Sequence, residues 1–381
     1  PERLNQVRQE QMANKQNPRY DGHCRSLDPA EARRRAQAGE KFVIRFKMPK
    51  DGSITGADLL RGPITTDNAA LDDSVLLKSD GLPTYHLAAM VDDHLMGITH
   101  VIRGSEWLPS MPLHIHVIRA FGWQEPQFVH LSVFLKPSGK GKLSKRDSAQ
   151  ALKDGYSIFL GDMKDLGYTP EGVLNWIALM GWGVNEDDVM TLDQMIARFD
   201  LNKLNPAPAA INFSKLDHFN GTHIRLLTAA DLAGRIKPYF EKAGYTVDEA
   251  LLLKIVPLIR ERLVTLDDCL PFAGWFFQQT VSPAPEALVA KGLTPAESAS
   301  IARKIYDLLA ALPEITHAAA EPPLRGLVEQ LALSPNQVFG ILRAAVTGQT
   351  VSPPLFESME LLPRETILER VQTAITLLEA Q

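Results

Sequence analysis

The segment Lys136–Asp147 carries a cluster of basic residues that could bind phosphate groups. Five of its twelve residues are lysine or arginine, and Gly139 and Gly141 stand between them. A lysine ammonium acts as a point charge on phosphate oxygens, and glycines let the backbone come close to a ligand. The charge run alone leaves two interpretations open, because a solvated lysine loop that binds nothing would show the same composition.

The sequence before this basic loop predicts the elements that would position it. Phe128–Leu135 is rich in β-branched and aromatic residues, which favour a strand, and Pro112–Phe121 has the pattern of a helix. The loop therefore follows the carboxyl end of a strand, where doubly wound α/β folds hold phosphates. His114 and His116 are two positions apart and do not share a helix face, so the pair does not predict a metal site.

Four stretches together resemble the glutamyl-tRNA synthetases, class I enzymes of the bacterial or mitochondrial type. Lys142–Arg146 resembles their Lys-Met-Ser-Lys-Ser signature loop in its Lys-Leu-Ser-Lys-Arg form. Pro83–His86, Val91–Trp107 and Arg343–Gly348 resemble further motifs of the family, in the family's order. The resemblance covers essentially the whole chain. It implies ATP-dependent activation of L-glutamate and transfer of the glutamyl group to the 3′ end of tRNA(Glu).

The resemblance also implies an amino-acid site and an ATP site. Tyr85 falls at the tyrosine that contacts glutamate, and Arg103 at the arginine that clamps its side-chain carboxylate. An arginine suits that task because its planar guanidinium can bind a carboxylate through two hydrogen bonds. Glu106 falls at a residue that touches ATP. From spacing alone, Tyr85 reads as core filler and Arg103 as the ion-pair partner of Asp92 or Asp93.

The signature loop is expected to act on the phosphates of ATP. By resemblance, Lys142 and Lys145 stabilise the developing pyrophosphate, with Mg²⁺ alongside. Ser144 and Arg146 complete the catalytic loop, and Leu143 lies with them against ATP. Chemistry of this kind depends on positioning and charge stabilisation more than on a protein nucleophile.

The predicted fold class is α/β followed by all-α, with four regions along the chain. The predicted regions are 1–80, the remainder of a connective insertion that binds the acceptor stem; 81–150, the second half of a Rossmann-type catalytic domain; 151–223, a helical stem-contact region; and 224–381, an all-helical anticodon-binding domain. Arg61 matches a motif of the insertion and Arg343 borders a turn of the helical domain, so both are candidate tRNA contacts. Both would otherwise read as ordinary surface residues.

The composition is that of an ordinary globular protein. The chain has 381 residues, 45% of them hydrophobic, and a net charge of −5. It has no apolar run long enough to span a membrane and no uniformly basic surface, although local basic patches could still contact nucleic acid. Two cysteines, Cys24 and Cys269, make a disulfide framework improbable and fit the cytoplasm. We expect a monomer.

The first residue is Pro1, and the His-Ile-Gly-His signature of the family is absent from the sequence. We interpret the chain as lacking the amino-terminal part of the enzyme, so that by itself it should make no glutamyl-adenylate and should still bind tRNA. Arg19–Cys24 resembles the edge of a zinc pocket found in some members. Zinc is not predicted here, since Cys24 has no cysteine partner at zinc-site spacing.

The sequence predicts a glutamate–tRNA ligase and leaves two alternatives open. One is a glutaminyl or non-discriminating relative. The other is a catalytically incomplete fragment that acts only as a tRNA-binding module.

Overall fold

The computed structural model describes residues 2–183 and 189–381. They form two compact units: the first comprises residues 1–143, 178–186 and 197–211, and the second comprises 144–177, 187–196 and 212–381. The strands are β1 Ile44–Arg45, β2 Ser53–Asp58, β3 Gly62–Asp67, β4 Val75–Leu77, β5 His100–Gly104, β6 Gln127–Leu131, β7 Phe134–Leu135 and β8 Ala209–Ala210.

Helices make up most of the remaining regular structure. Up to the basic loop they are α1 Glu2–Ala13, α2 Pro29–Gln37, α3 Tyr85–Leu95 and α4 Met111–Ala120. After it they are α5 Ser148–Lys153, α6 Leu160–Asp165, α7 Pro170–Leu179, α8 Leu192–Arg198, α9 Phe213–Leu226, α10 Ala229–Lys242, α11 Glu249–Ile259, α12 Cys269–Ala273, α13 Pro285–Leu288, α14 Pro295–Ala310, α15 His317–Gln330, α16 Pro335–Thr347, α17 Leu355–Met359 and α18 Arg364–Glu379.

The first unit is built on a four-stranded sheet of order β3-β2-β6-β5. β5 and β6 are parallel and in register from His100 opposite Gln127 to Gly104 opposite Leu131. α4 connects these two strands along the chain, so the predicted strand–helix–strand unit is confirmed. β2 and β3 form an antiparallel hairpin, and β2 joins β6 through the pair Asp58 and Phe128.

α4 is the central helix of this unit because nearly all of its residues are buried. Its side chains meet the sheet where β2 has no side chain of its own. A Cβ built on Gly56 would lie 2.3 Å from Ile115 Cδ1 and 2.6 Å from Met111 Cε. Glycine at position 56 therefore sets how closely α4 can pack on β2.

The strands differ in part from the sequence pattern. β1 covers only Ile44 and Arg45, and the neighbouring Phe42 and Val43 are exposed. The strand proposed for residues 128–135 divides into β6 and β7, and β7 pairs with β8 instead of continuing the sheet. β propensity reports how well a side chain packs on a pleated surface, and it does not show which strand supplies that surface.

The second unit is helical throughout the residues described after position 212. α10, α11, α14, α16 and α18 lie within residues 224–381, where an all-helical region was predicted. Their apolar faces form one buried core. Thr191 caps α8, since its hydroxyl accepts a hydrogen bond from the backbone amide of Gln194 at 3.3 Å.

The core of the helical unit also encloses a charged side chain. Arg370 of α18 is 2% exposed. Its guanidinium donates to the carbonyls of Val346 at 2.6 Å, Trp275 at 2.9 Å and Gln279 at 3.4 Å, and also to that of Gln278. No described carboxylate forms an ion pair with it, so carbonyl dipoles alone stabilise its charge.

Candidate active site

Arg103 lies near the carboxyl end of β5, at the sheet edge where parallel α/β folds place their ligands. Its Nε donates to His130 Nε2 at 2.9 Å, and its Nη1 lies 3.1 Å from His114 Nδ1. Among the described residues it forms no ion pair with Asp92 or Asp93. The interpretation of Arg103 as an ion-pair partner of those aspartates therefore has no contact to support it.

His130 is fixed from its other side by a buried carboxylate. Its Nδ1 lies 2.7 Å from Asp58 Oδ2, and both side chains have no exposed surface. The Asp58 carboxylate also accepts hydrogen bonds from the backbone amides of Leu60, Arg61 and His130, each at 3.0 Å. Since an arginine can only donate, Nε2 of His130 must accept, and its proton lies on Nδ1 facing Asp58.

His114 continues the hydrogen-bonded chain in the other direction. With Nδ1 accepting from Arg103, its proton lies on Nε2, which is 3.0 Å from His86 Nδ1. Burial lowers the pKa of His114 to about 3, and the neighbouring Arg103 charge acts in the same direction. Burial likewise lowers the pKa of His86 and of His130. All three imidazoles are therefore neutral near pH 7.

One nitrogen of Arg103 is left without a partner. Nη2 is screened from solvent and donates no hydrogen bond within residues 2–183 and 189–381. Burial lowers the pKa of Arg103. The Tyr85 hydroxyl, which lies close enough to hydrogen-bond the charged guanidinium, and the carboxylates of Asp93 and Asp58 act in the opposite direction. Tyr85 is half-exposed and packs on Trp107, with ring centroids 4.6 Å apart. An unsatisfied buried N–H costs about 1–3 kcal/mol, which marks this nitrogen as a place for a ligand acceptor.

Glu106 and Lys142 form a mostly exposed pair beside the Arg103 strand. Lys142 Nζ lies 3.2 Å from Glu106 Oε1, and this contact helps to lower the pKa of the Glu106 carboxyl. A Cβ built on Gly104 would lie 2.1 Å from Glu106 Oε2, so the carboxylate rests directly against the end of β5. Two residues that the sequence places 36 positions apart are thus brought together.

The beginning of the basic loop is a tight backbone turn. The Lys136 amide donates to the Gly141 carbonyl at 3.1 Å, and the Leu143 amide donates to the Phe134 carbonyl at 2.8 Å. Gly139 and Gly141 have φ of 72° and 82°, a region that side chains rarely adopt. The glycines therefore shape the turn that presents the lysines.

The remainder of the signature loop belongs to the second unit. The Ser144 amide and hydroxyl both donate to the Asp147 carboxylate, at 2.9 and 2.8 Å. This reciprocal cap begins a short 3-10 turn at Lys145 that leads into α5. Lys145 and Arg146 are exposed on that turn.

The two candidate tRNA contacts lie in different units. Arg61 is exposed in the turn between β2 and β3, and its Nε donates to the His130 carbonyl at 3.3 Å. Arg343 is half-buried on α16, and its Nε is screened from solvent with no hydrogen-bond partner among the described residues. Arg61 is therefore accessible to another molecule, whereas the Nε of Arg343 is unpartnered but lies out of reach of solvent.

Cys24 is exposed, and its amide donates to the Tyr20 hydroxyl. The described residues contain no group of three or more histidine, cysteine or carboxylate side chains able to hold a metal ion. None of the described helices is both long enough and apolar enough to cross a membrane.

Sequence reasoning missed Asp58, His114 and His130 as parts of this site. Asp58 and His130 are 72 positions apart and meet only because β2 pairs with β6. One feature of the sequence could have indicated His114: it is a polar residue inside the apolar stretch Pro112–Ile118. Its spacing from His116 was considered only as evidence for or against a metal site.

Comparison with known proteins identifies the class. Residues 1–218 match the family model described as tRNA synthetases class I (E and Q), catalytic domain, and residues 231–375 match the one described as anticodon binding domain. The glutamate–tRNA ligase of Dehalococcoides mccartyi is 41% identical over 380 residues, 98% of this chain and 75% of that protein. The one from Chloroflexus aurantiacus is 40% identical over 375 residues, 95% of this chain and 73% of that protein.

A solved structure agrees with these sequence matches. The crystal structure of a glutamate tRNA ligase from Elizabethkingia meningosepticum, in complex with its amino acid, covers 99% of this chain and 78% of its own, with a TM-score of 0.84 at 32% identity. The chain belongs to the glutamate–tRNA ligases. The activity of this family is that of an aminoacyl-tRNA ligase with ATP, L-glutamate and tRNA as partners, and nothing in the comparisons favours a glutaminyl enzyme or a binding module.

Proposed function

We propose that Arg103 binds the side-chain carboxylate of glutamate, with Tyr85 as the wall of that pocket. The unpartnered, buried Nη2 of Arg103 carries this proposal. A guanidinium whose other partners are neutral imidazoles keeps its charge available for an anionic ligand, and a glutamine amide would not use that charge. The same site then separates glutamate from glutamine.

We propose that Glu106 and the signature loop hold ATP. Glu106 accepts from the ribose, while Lys142, Leu143, Ser144, Lys145 and Arg146 line the phosphates, and Lys142 and Lys145 offset the charge of the departing pyrophosphate. The exposure of Lys142, Lys145 and Arg146 supports a role in meeting a ligand. Mg²⁺ would arrive on the phosphates of ATP, since it is usually held by substrate phosphates with only one or two carboxylates.

We propose the remaining assignments by family membership. Residues 1–80 hold the acceptor stem with Arg61, and 81–150 form the second half of the catalytic domain. Residues 151–223 contact the stem, and 224–381 bind the anticodon with Arg343. The enzyme acts as a monomer in the cytoplasm.

The amino-acid site is tested with Arg103→Gln in the active enzyme. The substrate carboxylate would lose its charged partner, which should weaken glutamate binding by several kcal/mol. KM for glutamate should therefore rise strongly. KM for ATP should stay near that of the unaltered enzyme. Arg119→Gln is the matched control, because Arg119 pairs at the surface with Glu125. An unchanged KM for glutamate would leave Arg103 as a structural residue.

The loop is tested with Lys145→Ala. Loss of one preorganised charge at the transition state should slow glutamate-dependent pyrophosphate exchange by about 10²–10³-fold. Lys140→Ala removes an equal charge from the same loop and should have a far smaller effect. Equal exchange rates in the two variants would refute the assignment of Lys145 to the phosphates.

A further inference from the structure

Arg103 is held from behind by neutral groups, which is unusual for a buried arginine. Its Nε and Nη1 meet the imidazoles of His130 and His114, whereas arginines in interiors are commonly paired with carboxylates. Two carboxylates act on Arg103 without touching it: Asp93 interacts electrostatically with the guanidinium and, in the described part of the chain, forms no ion pair with it, and Asp58 reaches it through His130. The two imidazoles therefore fix the plane of the guanidinium without neutralising its charge.

The tautomers needed for this arrangement are set by the next residues along. The Nδ1–H of His130 donates a hydrogen bond to Asp58. The Nε2–H of His114 donates one to Nδ1 of His86. Burial and the Arg103 charge lower the pKa of both imidazoles, so neither becomes a cation that would repel the guanidinium. Each ring can then accept from Arg103 and from no other donor at that nitrogen.

We propose that His114 and His130 are positioning residues for specificity: they hold Arg103 as neutral acceptors, so that its charge and its free Nη2 are reserved for the substrate carboxylate. This inference rests on the proposed role of Arg103. Exchanging a neutral acceptor for an anionic one should make the site indifferent to the charge of its substrate, even where every hydrogen bond to Arg103 is kept.

The decisive comparison is between His114→Asn and His114→Asp. An asparagine oxygen can take the place of Nδ1 as a neutral acceptor, and aspartate has the same shape with a negative charge. In the active enzyme, H114N should keep KM for glutamate within about threefold. H114D should raise it by about tenfold or more over H114N, because a carboxylate beside Arg103 offsets the charge that attracts the substrate. KM for ATP should not differ between the two variants.

Glutamine supplies the readout that a merely structural role would not change. Relative to H114N, H114D should narrow the preference for glutamate over glutamine by about tenfold, because only the anionic substrate loses an electrostatic partner. His116→Asn and His116→Asp are the control pair: His116 lies on the same helix and bonds Asn68 at 2.9 Å, without touching Arg103. That pair should leave the preference unchanged.

A second measurement needs neither ATP nor catalysis and uses the chain as it is. Nitrogen-15 signals should show an unprotonated Nε2 on His130, an unprotonated Nδ1 on His114, and a slowly exchanging Nε–H on Arg103. His130→Leu should speed that exchange, and His130→Gln, which restores an acceptor near the Nε2 position, should slow it again. The opposite tautomers, or an exchange rate that is the same in all three proteins, would overturn the inference.

The outcomes separate the two proposals. If Arg103→Gln changes KM for glutamate but H114N and H114D have equal preference for glutamate, Arg103 is the clamp and the positioning inference is wrong. If Arg103→Gln has no effect on glutamate, the proposed pocket itself fails, whatever the histidine variants do.

Discussion

Each of the two units contains an arginine whose guanidinium is shielded from solvent. The two guanidinium groups differ in how completely they are hydrogen-bonded. In the helical unit, every guanidinium nitrogen of Arg370 donates a hydrogen bond to a backbone carbonyl. Arg103 in the sheet unit gives one nitrogen to each of two imidazoles and leaves Nη2 without a partner. Burial lowers the pKa of both, that of Arg370 to about 10.

The difference separates a structural cation from a binding cation. Arg370 joins segments that would otherwise end in unsatisfied carbonyls, so its hydrogen bonds are complete without any ligand. The hydrogen bonding of Arg103 is incomplete, because Nη2 has no described partner. An unsatisfied donor in a protein interior needs an explanation other than stability, such as ligand binding. Both arginines have a lowered pKa, but Arg370 is fully buried and completely hydrogen-bonded, whereas Arg103 is partly buried and leaves one nitrogen without a partner among the described residues.

The largest expected effect is at Arg370. Arg370→Met should lower the free energy of unfolding of the helical unit by about 3–5 kcal/mol, because it leaves several buried carbonyls without donors. Chemical denaturation measures the loss, and Arg370→Lys should recover part of it. A loss below about 1 kcal/mol would show that water or repacking replaces the arginine.

Acid should distinguish the units next. The lowered pKa values of His86, His114 and His130 mean that these groups bind protons only when the sheet unit unfolds. Stability from them is fully present above about pH 6.5 and is lost as pH falls towards the folded value, about 3 for His114. Between pH 6.5 and 4.5 the sheet unit should lose on the order of 1–3 kcal/mol.

Hydrogen exchange resolved by segment checks this pH dependence. Exchange should quicken in residues 100–131 more than in 295–347, where the described helices α14, α15 and α16 bury no histidine. His114→Asn should weaken the difference, since an amide does not titrate. Equal acid sensitivity of both segments would mean that the buried imidazoles protonate without unfolding.

A smaller change in stability is expected at Arg103. Arg103→Met should lower the free energy of unfolding by about 1–3 kcal/mol, less than Arg370→Met, because it leaves two imidazole acceptors without a donor but also removes an unsatisfied N–H. Thermal denaturation of this variant beside Arg370→Met tests the comparison directly. Equal losses in the two would mean that Arg103 is as structural as Arg370.

The smallest effect is expected at a surface arginine of the same helical unit. Arg303 pairs with Glu379, and its side chain is 61% exposed. Arg303→Ala should change stability by about 0.5 kcal/mol or less, since exposed ion pairs contribute little. A loss comparable to that of Arg370→Met would show that neither burial nor the number of hydrogen bonds sets the cost of removing an arginine here.

The helical unit was largely predictable because its signals are local. Apolar residues at helical spacing and proline or threonine at helix starts are visible within one window, as at the start of α16. α15 is harder to predict locally because Pro322 and Pro323 lie inside it, and prolines usually end a helix. Packing of its buried Leu324 and Leu327 compensates for that local cost.

The candidate site was predictable only in part, because its contacts are not local. Family resemblance supplied Tyr85, Arg103, Glu106 and the signature loop, whose roles stay predictions. The pairing of Asp58 with His130 depends on the register of β2 against β6, which no window of sequence contains. The partners of Arg103 follow from that register and from the packing of α4.

The carbonyl cage of Arg370 has a consequence for the order of synthesis. Trp275 leaves the ribosome 95 residues before Arg370 does. At usual elongation rates of about 5–20 residues per second, its carbonyl waits roughly 5–20 s for its donor. Until α18 emerges, the nascent helical unit carries unmet carbonyls beside an apolar face, so this interval is when chaperones and proteases would find it most open.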